Sequence, residues 1–211
     1  MFRFSRRPSR TRLAAITAGA VLFGAVGLAA TAGQASADTV VNVHYSLTGT
    51  SYIKKLNATV NLGSGTLSAS DDLTTGAETG TLSLPPSTIS TNELGIIPVT
   101  ATSEMVQDGL ATGSANLSTN TITSTSTVTL KLTSLSVFGI KVPIGNNCET
   151  SPFSVTISSD AGFTIGGGGP LSGTFTIPKF QHCGLSTLVL NLAIPGPGNT
   201  LNLTLGALQL G

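Results

Sequence analysis

Alternation with period two runs through this chain from about residue 40 to its end, and it limits what the chain can fold into. Val41, Val43, Tyr45 and Leu47 fall on one face of an extended segment, with Asn42, His44 and Ser46 on the other. The same pattern recurs in Ala58, Val60 and Leu62, in Ile97, Val99 and Ala101 after Gly95, and in Phe153, Val155 and Ile157. It returns in Phe163 and Ile165, in Phe175 and Ile177, and in Leu201, Leu203 and Leu205. Side chains leave a strand on alternate faces, so such runs predict half-buried strands. Leu67, Leu82 and Leu84 mark short strands around a polar loop at residues 71–80, and Pro85-Pro86 stops the second of them. About ten short strands separated by Gly, Pro and Asn turns predict an all-β fold, an antiparallel sandwich or a barrel.

Three stretches depart from simple alternation. Between residues 121 and 144, Val128, Leu130 and Leu132 share a phase, Leu135 and Val137 take the opposite one, and Ile140, Val142 and Ile144 return to the first. That predicts a bulge or a strand that changes sheets, with Gly139 a natural place for it. Residues 104–108 read as one helical turn ended by Gly109. Residues 186–193 suit a helix through Leu188 and Leu192, or a strand through Leu188, Leu190 and Leu192. The stop at Pro195-Gly196-Pro197-Gly198-Asn199 favours one short helix near 185–193.

The first residues predict export. Arg3, Arg6, Arg7, Arg10 and Arg12 precede an uncharged run over residues 13–30, and Ala35-Ser36-Ala37 follows as a small-x-small cleavage site. Residues 1–37 are thus expected to be a signal peptide cleaved before Asp38, and residues 38–211 a single secreted β domain with no membrane span. The leader takes all five arginines with it. Five lysines then face nine carboxylates, a net charge of −4. On that balance no basic patch survives, which argues against nucleic acid as a partner and against electrostatic docking on anionic lipid. The only two cysteines, Cys148 and Cys183, are expected to pair in an exported chain. Two cysteines and two histidines at irregular spacing make no zinc site, and no cofactor motif is present.

Signals for hydrolytic chemistry are sparse. No Gly-x-Ser-x-Gly and no His-Glu-x-x-His occurs, and the glycines at 166–169 lack the lysine of a phosphate loop. Trp is absent, so a stacking platform for sugars is not supported. One arrangement remains. If the cysteines pair across antiparallel segments, Glu149 lies opposite His182, and Ser186 follows four residues later. Ser186 is then the candidate nucleophile, His182 the general base and Glu149 the orienting acid, with a surface ion pair beside a disulfide as the competing reading. Phe153, Phe163, Phe175 and Phe180 lie between the cysteines and form a candidate apolar ligand pocket, with plain core as its alternative.

The runs Gly173-Thr174-Phe175-Thr176-Ile177-Pro178-Lys179-Phe180, His182-Cys183-Gly184-Leu185 and Ile194-Pro195-Gly196-Pro197-Gly198-Asn199, together with Asn147-Cys148-Glu149-Thr150-Ser151-Pro152, form a pattern of packing and turn residues. The pattern resembles small exported proteins of high-GC Gram-positive bacteria commonly labelled cholesterol esterase. That resemblance implies hydrolysis of sterol or other lipid esters, and it carries no catalytic residues with it. Two expectations follow. One is a secreted, lipid-associated carboxylic-ester hydrolase. The other is a non-catalytic β domain that binds an apolar small molecule or lipid ester, or contributes to the cell envelope.

Overall fold

The computed structural model describes residues 39–93 and 97–211, so the expected signal peptide lies outside the described residues. Strand β1 (Val40–Ile53) runs from the lower end of the molecule to the upper, and β2 (Ala58–Asp72) returns. Strand β3 (Ala77–Ser83) climbs again, and Pro85-Pro86 separates it from β4 (Ser87–Glu93). Next come β5 (Ile97–Gln107), β6 (Ala111–Asn116) and the 17-residue β7 (Thr121–Val137). The remaining strands are β8 (Ile140–Lys141), β9 (Glu149–Thr150), β10 (Phe153–Ser159), β11 (Gly169–Ile177), β12 (Phe180–Gln181), β13 (Gly196–Leu205) and β14 (Gln209–Leu210). The one α-helix among the described residues, α1 (Thr187–Ala193), follows a 3-10 turn at Gly184–Ser186, as the glycine- and proline-bounded stretch predicted.

Eight strands close on themselves. In the order β10-β11-β13-β1-β2-β3-β6-β7 each pairs antiparallel with the next, and β7 pairs with β10. The choice between sandwich and barrel is therefore settled as a closed antiparallel barrel. Its stagger can be traced through the register. From Thr125, one path runs through Thr112, Thr79 and Ser70 to Asn42. The other runs through Thr156, Thr174 and Thr200 to Tyr52. The two paths meet β1 at Asn42 and Tyr52, about ten residues apart, and this offset tilts every strand. Eight tilted strands leave an interior just wide enough to be filled by side chains or to hold one small ligand.

The core is the inner face of this ring. Val43, Tyr45 and Leu47 of β1, Leu171, Phe175 and Ile177 of β11, and Leu201, Leu203 and Leu205 of β13 are all buried, as their alternation predicted. Bulges re-aim two strands. On β2 the register slips opposite Gly49, where Gly63 takes a left-handed φ of 72°. Inward residues are Val60 and Leu62 before that bulge, and Leu67, Ala69 and Asp71 after it. On β7 an irregularity at Thr133 explains the phase change between Leu132 and Leu135. Gly139 instead sits in the tight turn to β8, where Phe138 (φ 53°) and Gly139 (φ 76°) are both left-handed.

Two sequence expectations are corrected here. Residues 104–108 are not helical: Glu104 to Gln107 continue β5 in register with β7. Residues 71–80 are not a loop either. Only the turn between Asp72 and Ala77 is irregular, and Asp71 lies directly across from Glu78 in the β2–β3 ladder. Fourteen strands replace about ten, since several have only two residues.

The upper half is built differently. Above Val128, β7 leaves β10 and pairs with β5, which pairs with β4. Strand β4 forms a backbone ladder with β5 alone, and its other edge packs against β2 without one.

Candidate ligand cavity

The barrel interior is not completely filled. In the upper half a cavity of about 70 Å³ lies among Ile53, Leu62, Ala101, Leu132, Phe175 and Phe180. Its wall is almost wholly apolar. Ser51, Ser87 and Ser103 also border it; the Ser51 hydroxyl donates to the Thr200 carbonyl at 3.1 Å and that of Ser87 to the Pro85 carbonyl at 3.5 Å. A lower cavity of about 50 Å³ lies among Leu47, Glu78, Ser126, Val155 and Leu203. Met105 borders both, so a flexible thioether side chain stands between them.

Three of the four candidate phenylalanines meet at the upper cavity. Phe153 and Phe175 stack with ring centroids 5.9 Å apart, and Phe180 is 2% exposed beneath them. Phe163 does not join them. It lies in the lower turn between β10 and β11, packed against the backbone of Gly169, whose left-handed φ leaves no room for a Cβ there.

The lower cavity holds chemistry that the strand pattern had concealed. Glu78 is 6% exposed and borders this cavity. Burial, and then the neighbouring Asp71, push its carboxyl up to about 7. Burial also raises the Asp71 carboxyl, whose Oδ1 is buried without a hydrogen-bond partner. Tyr45 donates to the Ile165 carbonyl at 2.9 Å, and desolvation, followed by Asp71 and Glu78, pushes its phenol up to about 12. The Oγ of Ser126, also on this cavity, is buried and unpartnered.

The disulfide Cys148–Cys183 is formed, with Cα atoms 4.3 Å apart. It does not create the expected opposition of Glu149 and His182. In the β9–β12 ladder Glu149 pairs with Gln181 and Thr150 with Phe180. The register is one residue off because His182 turns into a left-handed conformation (φ 58°) and leaves the ladder before Cys183. Glu149 instead forms an ion pair with Lys131 at 3.7 Å. Ser186 is buried, and its hydroxyl donates to the Pro143 carbonyl at 3.4 Å. His182 is exposed and bonded to neither. The other histidine, His44, is exposed on β1 and shares a hydrogen bond of 2.9 Å with Ser68. The three side chains therefore lack the nucleophile–base–acid contacts that hydrolysis needs.

Fold and cavity together define a closed antiparallel barrel with an apolar interior and a stapled upper end. No family model, curated protein or solved structure matches the chain. Among the described residues no group of three or more metal-binding side chains is present, and no helix is long and apolar enough to cross a membrane.

Proposed function

We propose that this protein is an exported, non-catalytic binder of an apolar ligand, such as a lipid chain or the apolar part of a lipid ester, held in the upper half of the barrel. The observation that carries the reading is the upper cavity, whose wall is nearly all carbon and of whose three bordering hydroxyls two, those of Ser51 and Ser87, already donate to carbonyls. A polar ligand entering it would exchange water for little beyond the Ser103 hydroxyl, whereas an apolar one gains burial. At about 70 Å³ the cavity is well below the ~300 Å³ at which ordinary ligand pockets begin, so binding a lipid chain requires it to enlarge. Met105 and the unladdered edge of β4 are placed to allow that. Ester hydrolysis, implied by the resemblance to the cholesterol esterase group, gains no support from Ser186, whose hydroxyl is committed to Pro143.

The test is titration of the purified protein with a fluorescent fatty acid and a fluorescent sterol, beside an Ala101→Leu variant. Ala101 borders the cavity and is buried, so leucine there occupies the void. Saturable binding is expected, weakened at least tenfold by Ala101→Leu while stability changes by less than about 1.5 kcal/mol. Absence of saturable binding to both ligands overturns the reading. Ester turnover abolished by His182→Ala replaces it with the hydrolase.

A further inference from the structure

The segment that closes the upper end carries its apolar face on the outside. Leu185, Leu188, Val189 and Leu192 recur at helical spacing and are 99, 71, 65 and 72% exposed. The opposite face, Ser186 and Leu190, is buried against the barrel. This orientation is fixed. The Asn191 side chain accepts from the Phe180 N–H at 2.7 Å and donates to the Phe180 carbonyl at 2.9 Å. Ser186 is tied to Pro143, and the disulfide anchors Cys183 immediately before. The tight turn between β7 and β8 reaches the same end and exposes two more large apolar side chains, Phe138 and Ile140, at 63 and 73%. Phe138 is left-handed there, a conformation that a bulky side chain adopts only at a cost.

Charge shows what this surface fits. All five lysines lie in the upper half. Lys54 and Lys55 form the β1–β2 turn, Lys141 follows Ile140, Lys179 precedes Phe180, and Lys131 is paired with Glu149. The Lys55 ammonium donates to the Leu192 carbonyl at 3.4 Å, which puts one cation directly at the apolar helix. The carboxylates of this half are Glu149, Glu104, which lies across from Lys131, and Glu93 at the end of β4. Five lysines less three carboxylates leave +2. At the lower end Asp71, Asp72, Glu78 and Asp160 stand without a lysine, and Asp108 lies midway. The net charge of −4 is thus a sum over two ends of opposite sign, and it conceals the positive one.

We propose that the upper end of the barrel docks on an anionic phospholipid surface. The leucines of the 185–192 face enter the boundary between headgroups and acyl chains, and Lys54, Lys55, Lys141 and Lys179 meet the phosphates. Apolar side chains ringed by lysines are the physical signature of interfacial binding, and a neutral apolar partner would leave the lysines unmatched. This stands independently of whether the cavity holds a ligand.

The chain contains no tryptophan, so Leu188→Trp supplies a single fluorescent reporter on the proposed face of the full-length protein. It is mixed with vesicles of phosphatidylcholine alone, or with about one third phosphatidylglycerol. The expected result is a blue shift, with quenching by brominated lipid, on the anionic vesicles. The effect should fall at least tenfold in Lys54→Glu/Lys55→Glu and diminish with salt. Val189→Trp, also exposed, repeats the reading if Leu188→Trp does not fold. Unchanged emission on anionic vesicles overturns the proposal even if the protein sediments with them through another segment. A concentration-dependent shift without vesicles also overturns it and assigns the face to a second copy of the chain.

Discussion

The upper and lower ends of the barrel close the same ring of strands with opposite materials. Above, closure is covalent and apolar. The disulfide joins the segment before β9 to the start of the helical cap, Asn191 latches that cap to Phe180, and leucines point outward. Below, closure leaves two carboxyl groups side by side across the β2–β3 ladder, with a tyrosine next to them and no cation among the described residues. The upper end draws stability from a cross-link, while the lower end holds an electrostatic conflict that burial keeps partly protonated. A common scaffold therefore has two separate levers, redox state at one end and pH at the other.

The largest effect is expected from removing the cross-link. Reduction, or the double variant Cys148→Ala/Cys183→Ala, reopens a loop spanning a sequence separation of 35. This should cost about 3–4 kcal/mol in urea denaturation. Hydrogen exchange should rise around β9, β12 and α1 while β2 and β3 stay protected. A uniform rise would show that the two ends are not separable.

A smaller effect is expected from pH, and it belongs to the lower end. In the unfolded chain Glu78 loses its proton near 4.5; in the fold it keeps it to about 7. Between those values the unfolded state binds fewer protons than the native one. Stability therefore falls as pH rises through this window and is greatest below it. The loss should be on the order of 2–3 kcal/mol, allowing for partial access of water. Urea melts at several pH values should show this slope, and Glu78→Gln should flatten it. A slope that survives in Glu78→Gln would move its origin elsewhere.

The smallest effect concerns the latch. Asn191→Ala removes two hydrogen bonds to Phe180 and should cost about 1–2 kcal/mol in the same melts. It should leave the pH slope unchanged, since the altered contacts are at the other end. A changed slope would couple the ends.

Much of this was legible from residue order. The alternation of Val41 to Leu47 fixed the face of β1, and the expectation of export paired the cysteines. The barrel was not legible, because closure depends on β7 meeting β10, a contact between segments that a sandwich would also contain. Asp71 and Glu78 were hidden by their own polarity, which suggested a loop. Yet Asp71 shares the parity of Leu67 and Ala69, and Glu78 that of Leu82, which is the signal that places them inside. The catalytic arrangement failed on a single residue. Counting outward from the cysteines assumed an unbroken ladder, and the left-handed turn at His182 breaks it. The outward leucines of α1 were unreadable as such, since helical spacing gives a face but not the direction in which it points.

The free edge of β4 bears on how the barrel stretches. In the lower half every strand of the ring of eight is stitched on both sides, so widening the interior there means tearing backbone ladders. Along the boundary between β2 and β4 the two strands lie against each other without a backbone ladder. The boundary is an unstitched seam in the wall of the upper half. On the proposed reading, room for a ligand beyond the 70 Å³ of the upper cavity comes from this seam, where β4 is laddered to β5 alone.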